Sequence, residues 1–135
     1  MGAIPGLIYI HEKYHNKGLF IIAIHDDSTK SVTDLEKEIA KLSKERWENK
    51  KIPFAVALDG GGRCKIQGTQ KTAQGATSAA YGIQGWPTMV LIDKEGKVVK
   101  EAYAIAMTEK EGKVMDYFWD DSELVEKLLA SDIDK

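Results

Sequence analysis

Cys64 is the only thiol in the 135-residue chain, and it lies between Arg63 and Lys65. Cations beside a thiol favour the thiolate, its nucleophilic form, so Cys64 is a candidate reactive cysteine. Alone it can close no disulfide within the chain, and nothing here resolves a mixed disulfide. The competing reading is an incidental loop cysteine. His11-Glu12-Lys13-Tyr14-His15 has the H-E-x-x-H spacing. On a helix that spacing puts two imidazoles on one face, with a glutamate to act as general base in a zinc hydrolase. The context points away from a hydrolase: Lys13 adds a cation, and only His25 or an acidic residue remains as a third ligand. A solvated helix face is the reading we adopt, with no metal and no cofactor expected. His25-Asp26-Asp27-Ser28 ends a strand-like run, where ligand sites of α/β proteins often lie. Turn chemistry, with Asp or Ser bonding backbone N–H groups, accounts for the same residues. Gly60-Gly61-Gly62-Arg63-Cys64-Lys65 lacks the G-x-x-x-x-G-K-[ST] spacing of a phosphate loop and is read as a turn. The remaining candidate is Trp86-Pro87-Thr88, an X–Pro bond at the entry to an apolar run.

Composition narrows the partners. The net charge is −2, from 19 basic and 21 acidic residues, which leaves no basic footprint for nucleic acid. No apolar run approaches the roughly 20 residues that cross a bilayer, so no membrane segment is expected. The N-terminus lacks the basic start and apolar stretch of a signal peptide. The length fits one domain, residues 1–135, large enough to bury a core.

The elements that must position these residues can be read from periodicity. Pro5 suits a helix's first turn, Leu7, Ile8, His11, Tyr14 and His15 follow at helical spacing, and Gly18 suits the stop. Leu19 to Ile24 is six apolar residues in a row, which predicts a strand covered on both faces. Ser31 to Lys50 is the strongest helix: Leu35, Ile39, Leu42 and Trp47 form its stripe, and Ser31 with Asp34, or Thr33 with Glu36, could box its start. Phe54 to Leu58 reads as a second buried strand with Asp59-Gly60-Gly61-Gly62 as its exit. Residues 63 to 72 read as loop, and Thr72 to Tyr81 as a short helix ended by Gly82. Thr88 to Ile92 and Lys97 to Lys100, joined by Asp93-Lys94-Glu95-Gly96, read as a hairpin. Residues 102 to 119 are ambiguous. Asp121 or Ser122 could cap a last helix to Ala130, and Trp47 and Trp119 suit core packing. Strands alternating with helices, then a hairpin and a helix, predict an α/β sandwich with a mixed sheet.

Tyr81-Gly82-Ile83-Gln84-Gly85-Trp86-Pro87-Thr88-Met89-Val90-Leu91-Ile92-Asp93-Lys94-Glu95-Gly96-Lys97-Val98 resembles the second half of the thioredoxin-like thiol–disulfide oxidoreductases. The likeness is to the redoxin branch that includes cytochrome-maturation and peroxiredoxin-like proteins. Glu12-Lys13-Tyr14, Lys17-Gly18-Leu19 and Phe54 to Asp59 extend the resemblance over residues 5 to 101. It implies a thioredoxin-like three-layer sandwich, a cis bond at Trp86–Pro87, and a peptide-binding edge at Trp86, Pro87 and Thr88. It also implies a protein thiol or disulfide partner, or an extended peptide, and an extracytoplasmic setting for the parent family.

The departure from the family is as informative as the likeness. Its Trp-Cys-x-x-Cys motif and first central strand would precede Ala3, and this sequence holds neither. The expectation is therefore a domain without dithiol exchange of its own, in which binding outlasts catalysis. A redox-dead protein-binding module is the runner-up, and a one-cysteine peroxidatic or glutathione-linked protein using Cys64 is the third reading. The gap left in the sheet is expected to be filled by direct pairing of its flanking strands, by a segment such as Tyr103 to Met107, or by strand exchange in a homodimer.

Overall fold

Pro5 lies in the first turn of helix α1, Ile4–Tyr14, where its missing N–H is no loss. The computed structural model describes residues 4–26, 28–99, 104–105 and 122–131. Ile8, Ile10 and Tyr14 are the buried face of α1, and Tyr14 is fully enclosed. The helix tightens into a 3-10 turn, His15–Lys17, and stops at Gly18, whose φ of 102° needs a residue without Cβ. The chain then continues through β1 (Ile22–His25), α2 (Val32–Arg46), β2 (Ala55–Leu58), β3 (Arg63–Lys65), β4 (Thr72–Gln74) and α3 (Ala76–Ala80). It ends with β5 (Thr88–Met89), β6 (Ala104–Ile105) and α4 (Ser122–Ala130).

These elements belong to two compact units. The described residues up to Leu19 and from Gly85 onward form one, and Phe20 to Gln84 form the other. In the first unit, β5 pairs antiparallel with β6, Thr88 opposite Ile105 and Met89 opposite Ala104. Strand β6 falls within residues 103–107, one of the three alternatives for the sheet, and its partner is β5. Beyond β5 the chain folds back: Ile92 bridges Val98, and Asp93 N–H donates to Lys97 O at 2.9 Å. The Asp93 carboxylate accepts from the N–H groups of Glu95 and Lys97, both at 2.9 Å, and so fixes this turn. Lys94 Nζ donates to the carbonyls of Leu129 and Ser131, placing a cation at the C-terminus of α4. Tyr14 donates its hydroxyl to Glu126 at 3.3 Å and so ties α1 to α4. Val125, Met89 and Leu91 are buried in this unit with the α1 face.

In the second unit, β1 and β2 pair in parallel, from Ile22 opposite Ala55 to His25 opposite Leu58. Helix α2 starts at Ser31, whose side chain accepts from Asp34 N–H at 3.1 Å, and whose hydroxyl donates to Asp34 Oδ2 at 2.7 Å. Of the two candidate starts, the chain caps the helix at Ser31. Leu35 and Trp47 are buried, with Ile39 and Leu42 half-buried between them.

Three expectations change. The two apolar runs expected as buried strands are not covered on both faces: Phe20, and Ile22 and Ile24 of β1, are 89, 65 and 45% exposed, and β2 alternates too, with Ala55 and Ala57 exposed. Consecutive strand side chains point to opposite faces, so an unbroken apolar run does not require two buried ones. Residues 63 to 74 are not loop and helix but the antiparallel hairpin β3–β4, with Cys64 opposite Ala73. Helix α3 is correspondingly shorter than Thr72 to Tyr81. The mixed sheet takes the form, among the described residues, of three two-stranded pieces, one parallel and two antiparallel. The chain is α/β, with helices and small parallel and antiparallel sheets. Trp119 and Asp121 lie outside the described residues.

Candidate functional site

The Trp86–Pro87–Thr88 turn opens strand β5 in the first unit. The Trp86–Pro87 peptide bond is cis. Thr88 donates its hydroxyl to Gly85 O at 2.6 Å, which closes the turn over one side chain–backbone bond. Pro87 and Thr88 are half-buried, while the Trp86 indole is 51% exposed. Behind them Met89 and Leu91 are buried, so the strand is anchored by its apolar side chains as the turn faces outward. A Cβ added at Gly85 would meet no heavy atom within 4 Å, so there is room for a side chain on the residue before Trp86. Strand β5 has its β6 pairing along one edge. The chemistry such a turn offers is recognition through an exposed aromatic surface at the head of a short strand.

Cys64 occupies β3, in the second unit. Its thiol donates to Gly61 O at 3.3 Å, and its side chain packs against the buried cluster of Ile66, Ala73 and Ala79. The residue is half-buried, and its sulfur serves packing and a weak hydrogen bond. The structure therefore places the one candidate thiol beside the small apolar cluster of the hairpin, bonded to its own loop.

The first residue of the triple glycine, Gly60, donates to the residue before it. Asp59 is buried at 6% exposure, and its carboxylate accepts from Gly60 N–H, Thr77 N–H, Ser78 N–H and the Ser78 hydroxyl at 2.9 to 3.1 Å. It thus caps α3 from a distant point in the sequence, a role its own neighbour Gly75 cannot perform without a side chain. Burial pushes the carboxyl up, but the N–H donors of Ser78, Thr77 and Gly60 outweigh it and hold the group down at about 2. Sequence reasoning missed this residue. The signal was an acid at a strand end followed by a stretch, Gly75-Ala76-Thr77-Ser78, that starts a helix with no cap of its own.

The other candidates resolve into turns and surfaces. Asp26 accepts from the Ser28 hydroxyl and from Ser28 N–H at 3.1 Å, which lowers its carboxyl from the ordinary value. That is the turn chemistry expected after β1. His11 and His15 stack one helical turn apart, and Glu12 is exposed. Among the described residues no group of three or more His, Cys, Asp or Glu side chains is placed to hold a metal ion. A shallow depression over Lys65, Gln67, Gly68, Thr69 and Gln70 has walls from the one loop between β3 and β4. No described helix is long and apolar enough to cross a membrane.

Compared with known proteins, the chain matches no family model, no curated protein and no solved structure.

Proposed function

We propose that this chain is a thioredoxin-like domain of the thiol–disulfide oxidoreductase class that binds extended protein segments at Trp86, Pro87 and Thr88 and performs no dithiol exchange by itself. The observation that carries the reading is the exposed Trp86 indole on a hydrogen-bonded turn at the head of a short strand. The run of residues through that turn is also where the resemblance to redoxins is densest. A partner segment would lay its backbone along the chain before Pro87 and an apolar side chain against the indole. Dithiol exchange requires two thiols, and the sequence has one. A three-layer sandwich is the fold this reading requires.

A redox-dead binding module is the second reading, and the inward-facing Cys64 thiol favours it. Both share the binding surface. Two assays test the proposal together. Dithiothreitol-driven insulin reduction is expected to stay at the uncatalysed rate; catalysis that vanishes in Cys64→Ser would replace the proposal with a one-cysteine enzyme. A fluorescently labelled, S-alkylated unfolded polypeptide is expected to bind, with affinity falling on the order of tenfold in Trp86→Ala. Equal binding by that variant would remove the site.

A further inference from the structure

No Asp or Glu occurs between Asp59 and Asp93, and the cations of that stretch, Arg63, Lys65 and Lys71, all fall in the β3–β4 hairpin. This is a local reversal of sign in a chain of net charge −2. Arg63 and Lys65 share a face of β3, because side chains two apart in a strand point the same way. Cys64 between them packs on the cluster of Ile66, Ala73 and Ala79, so the two cations lie on the opposite face, where both are exposed. Across the hairpin they stand opposite Gln74 and Thr72, both polar. No ion pair among the described residues engages either cation. The backbone of the same two residues turns outward. Gly75 N–H donates to Gly62 O at 2.7 Å, and Ile66 N–H donates to Lys71 O at 2.9 Å. In an antiparallel pair, the residues that alternate with such bonded positions direct their N–H and C=O groups away from the partner strand. Arg63 and Lys65 are those residues. Among the described residues β3 pairs with β4 alone, so no strand lies along its other edge.

We propose that the β3 edge takes an extended acidic polypeptide segment, with Asp or Glu at alternate positions, as an added strand. The backbone of the segment bonds to the N–H and C=O groups of Arg63 and Lys65, and its carboxylates meet the two cationic side chains. The spacing matches, since residues two apart lie roughly 7 Å apart on either strand. Charge selects the occupant. An edge that carries Arg and Lys repels a second copy of itself, which is how open edges are protected against self-pairing. A strand of opposite sign meets no such barrier and relieves the repulsion between Arg63 and Lys65. The surface belongs to the second unit and does not depend on the Trp86 turn, which lies in the first.

The test is titration of the isotope-labelled full chain with a blocked peptide alternating Glu and Thr, followed by NMR and amide hydrogen exchange. Saturable shifts centred on residues 63 to 65 are expected, with slowed exchange of the Arg63 and Lys65 amides. In Lys65→Glu, checked by circular dichroism to keep the wild-type fold, affinity is expected to fall about tenfold. A blocked peptide alternating Lys and Thr is expected to bind that variant more tightly than it binds the wild-type chain. Lys41→Glu makes the same charge change at an exposed position of α2 and is expected to leave the affinity for the acidic peptide unchanged. Absence of saturation in the wild-type chain would overturn the proposal. So would equal binding by folded Lys65→Glu, shifts centred outside the hairpin, or unchanged exchange at both amides. Saturation of the same residues by tripolyphosphate but not by the peptide would overturn it as well, in favour of a site for small oxyanions.

Discussion

A carboxylate that accepts hydrogen bonds from three backbone N–H groups and a hydroxyl, as Asp59 does, has little room for a proton. Its carboxyl is held at about 2 against an ordinary 3.8. A depressed folded value contributes stability that is fully present above the ordinary value and lost as pH falls through the folded one. The difference corresponds to roughly 2 kcal/mol, present at neutral pH and lost between about pH 4 and pH 2. Asp59→Asn keeps the size but turns an acceptor into a donor facing the Ser78 N–H. Urea unfolding of this variant at pH 7 is expected to show a loss of about 1–3 kcal/mol, and a weaker dependence on pH in the acid range. Gly75 supplies a second test. Its φ is 101°, and a Cβ there would fall 2.1 Å from Asp59 Oδ2. Gly75→Ala is expected to cost roughly 2–5 kcal/mol, through both backbone strain and collision with the carboxylate. Gly96→Ala, where φ is also positive but the space is open, is expected to cost less in the same assay. The sequence holds the acid at a strand end and the helix start without a cap, but not their meeting, because Asp59 and its donors Thr77 and Ser78 are brought together by the β3–β4 hairpin between them.

Elements were legible where their cause is local. The Ser31 cap is written in four consecutive residues: Ser31 accepts from Asp34 N–H, and its hydroxyl bonds the Asp34 carboxylate. Ser31→Ala is expected to lower stability by about 1 kcal/mol, measured by thermal unfolding, with the loss of helical signal that follows from fraying α2. The turn at Asp93 to Gly96 was likewise local, since one carboxylate and one glycine make it. Strands β3 and β4 were not. Arg63-Cys64-Lys65 and Thr72-Ala73-Gln74 are three residues each and mostly polar, with neither an apolar alternation nor a β-branched run to announce them. What holds them is pairing across the hairpin and the burial of Ile66 and Ala73, which depend on tertiary contact. The run from Leu19 to Ile24 misled in the opposite direction. Its composition said strand correctly, and it carried no information about which faces would be covered.

For the molecule as a whole, α/β organisation followed from the alternation of strand-like and helix-like segments, while the division into two units at Phe20 and Gly85 left no mark in composition. The candidate site shows the same contrast. Trp86-Pro87-Thr88 stood out by residue type, and its place at the head of β5 with the indole exposed was set by the burial of Met89 and Leu91 behind it. The single cysteine could be counted from sequence, but its direction could not, because the contact that turns it inward is with Gly61 and the hairpin core. The proposed binding role depends on that exposed turn and on no thiol. It is tested most directly by following the backbone amides and indole N–H groups of the labelled chain by NMR as a permanently unfolded, S-alkylated polypeptide is added. The account predicts shifts centred on Gly85 to Met89 and the Trp86 indole, unchanged in Cys64→Ser. Shifts that spare this turn, or that require the Cys64 thiol, would contradict it.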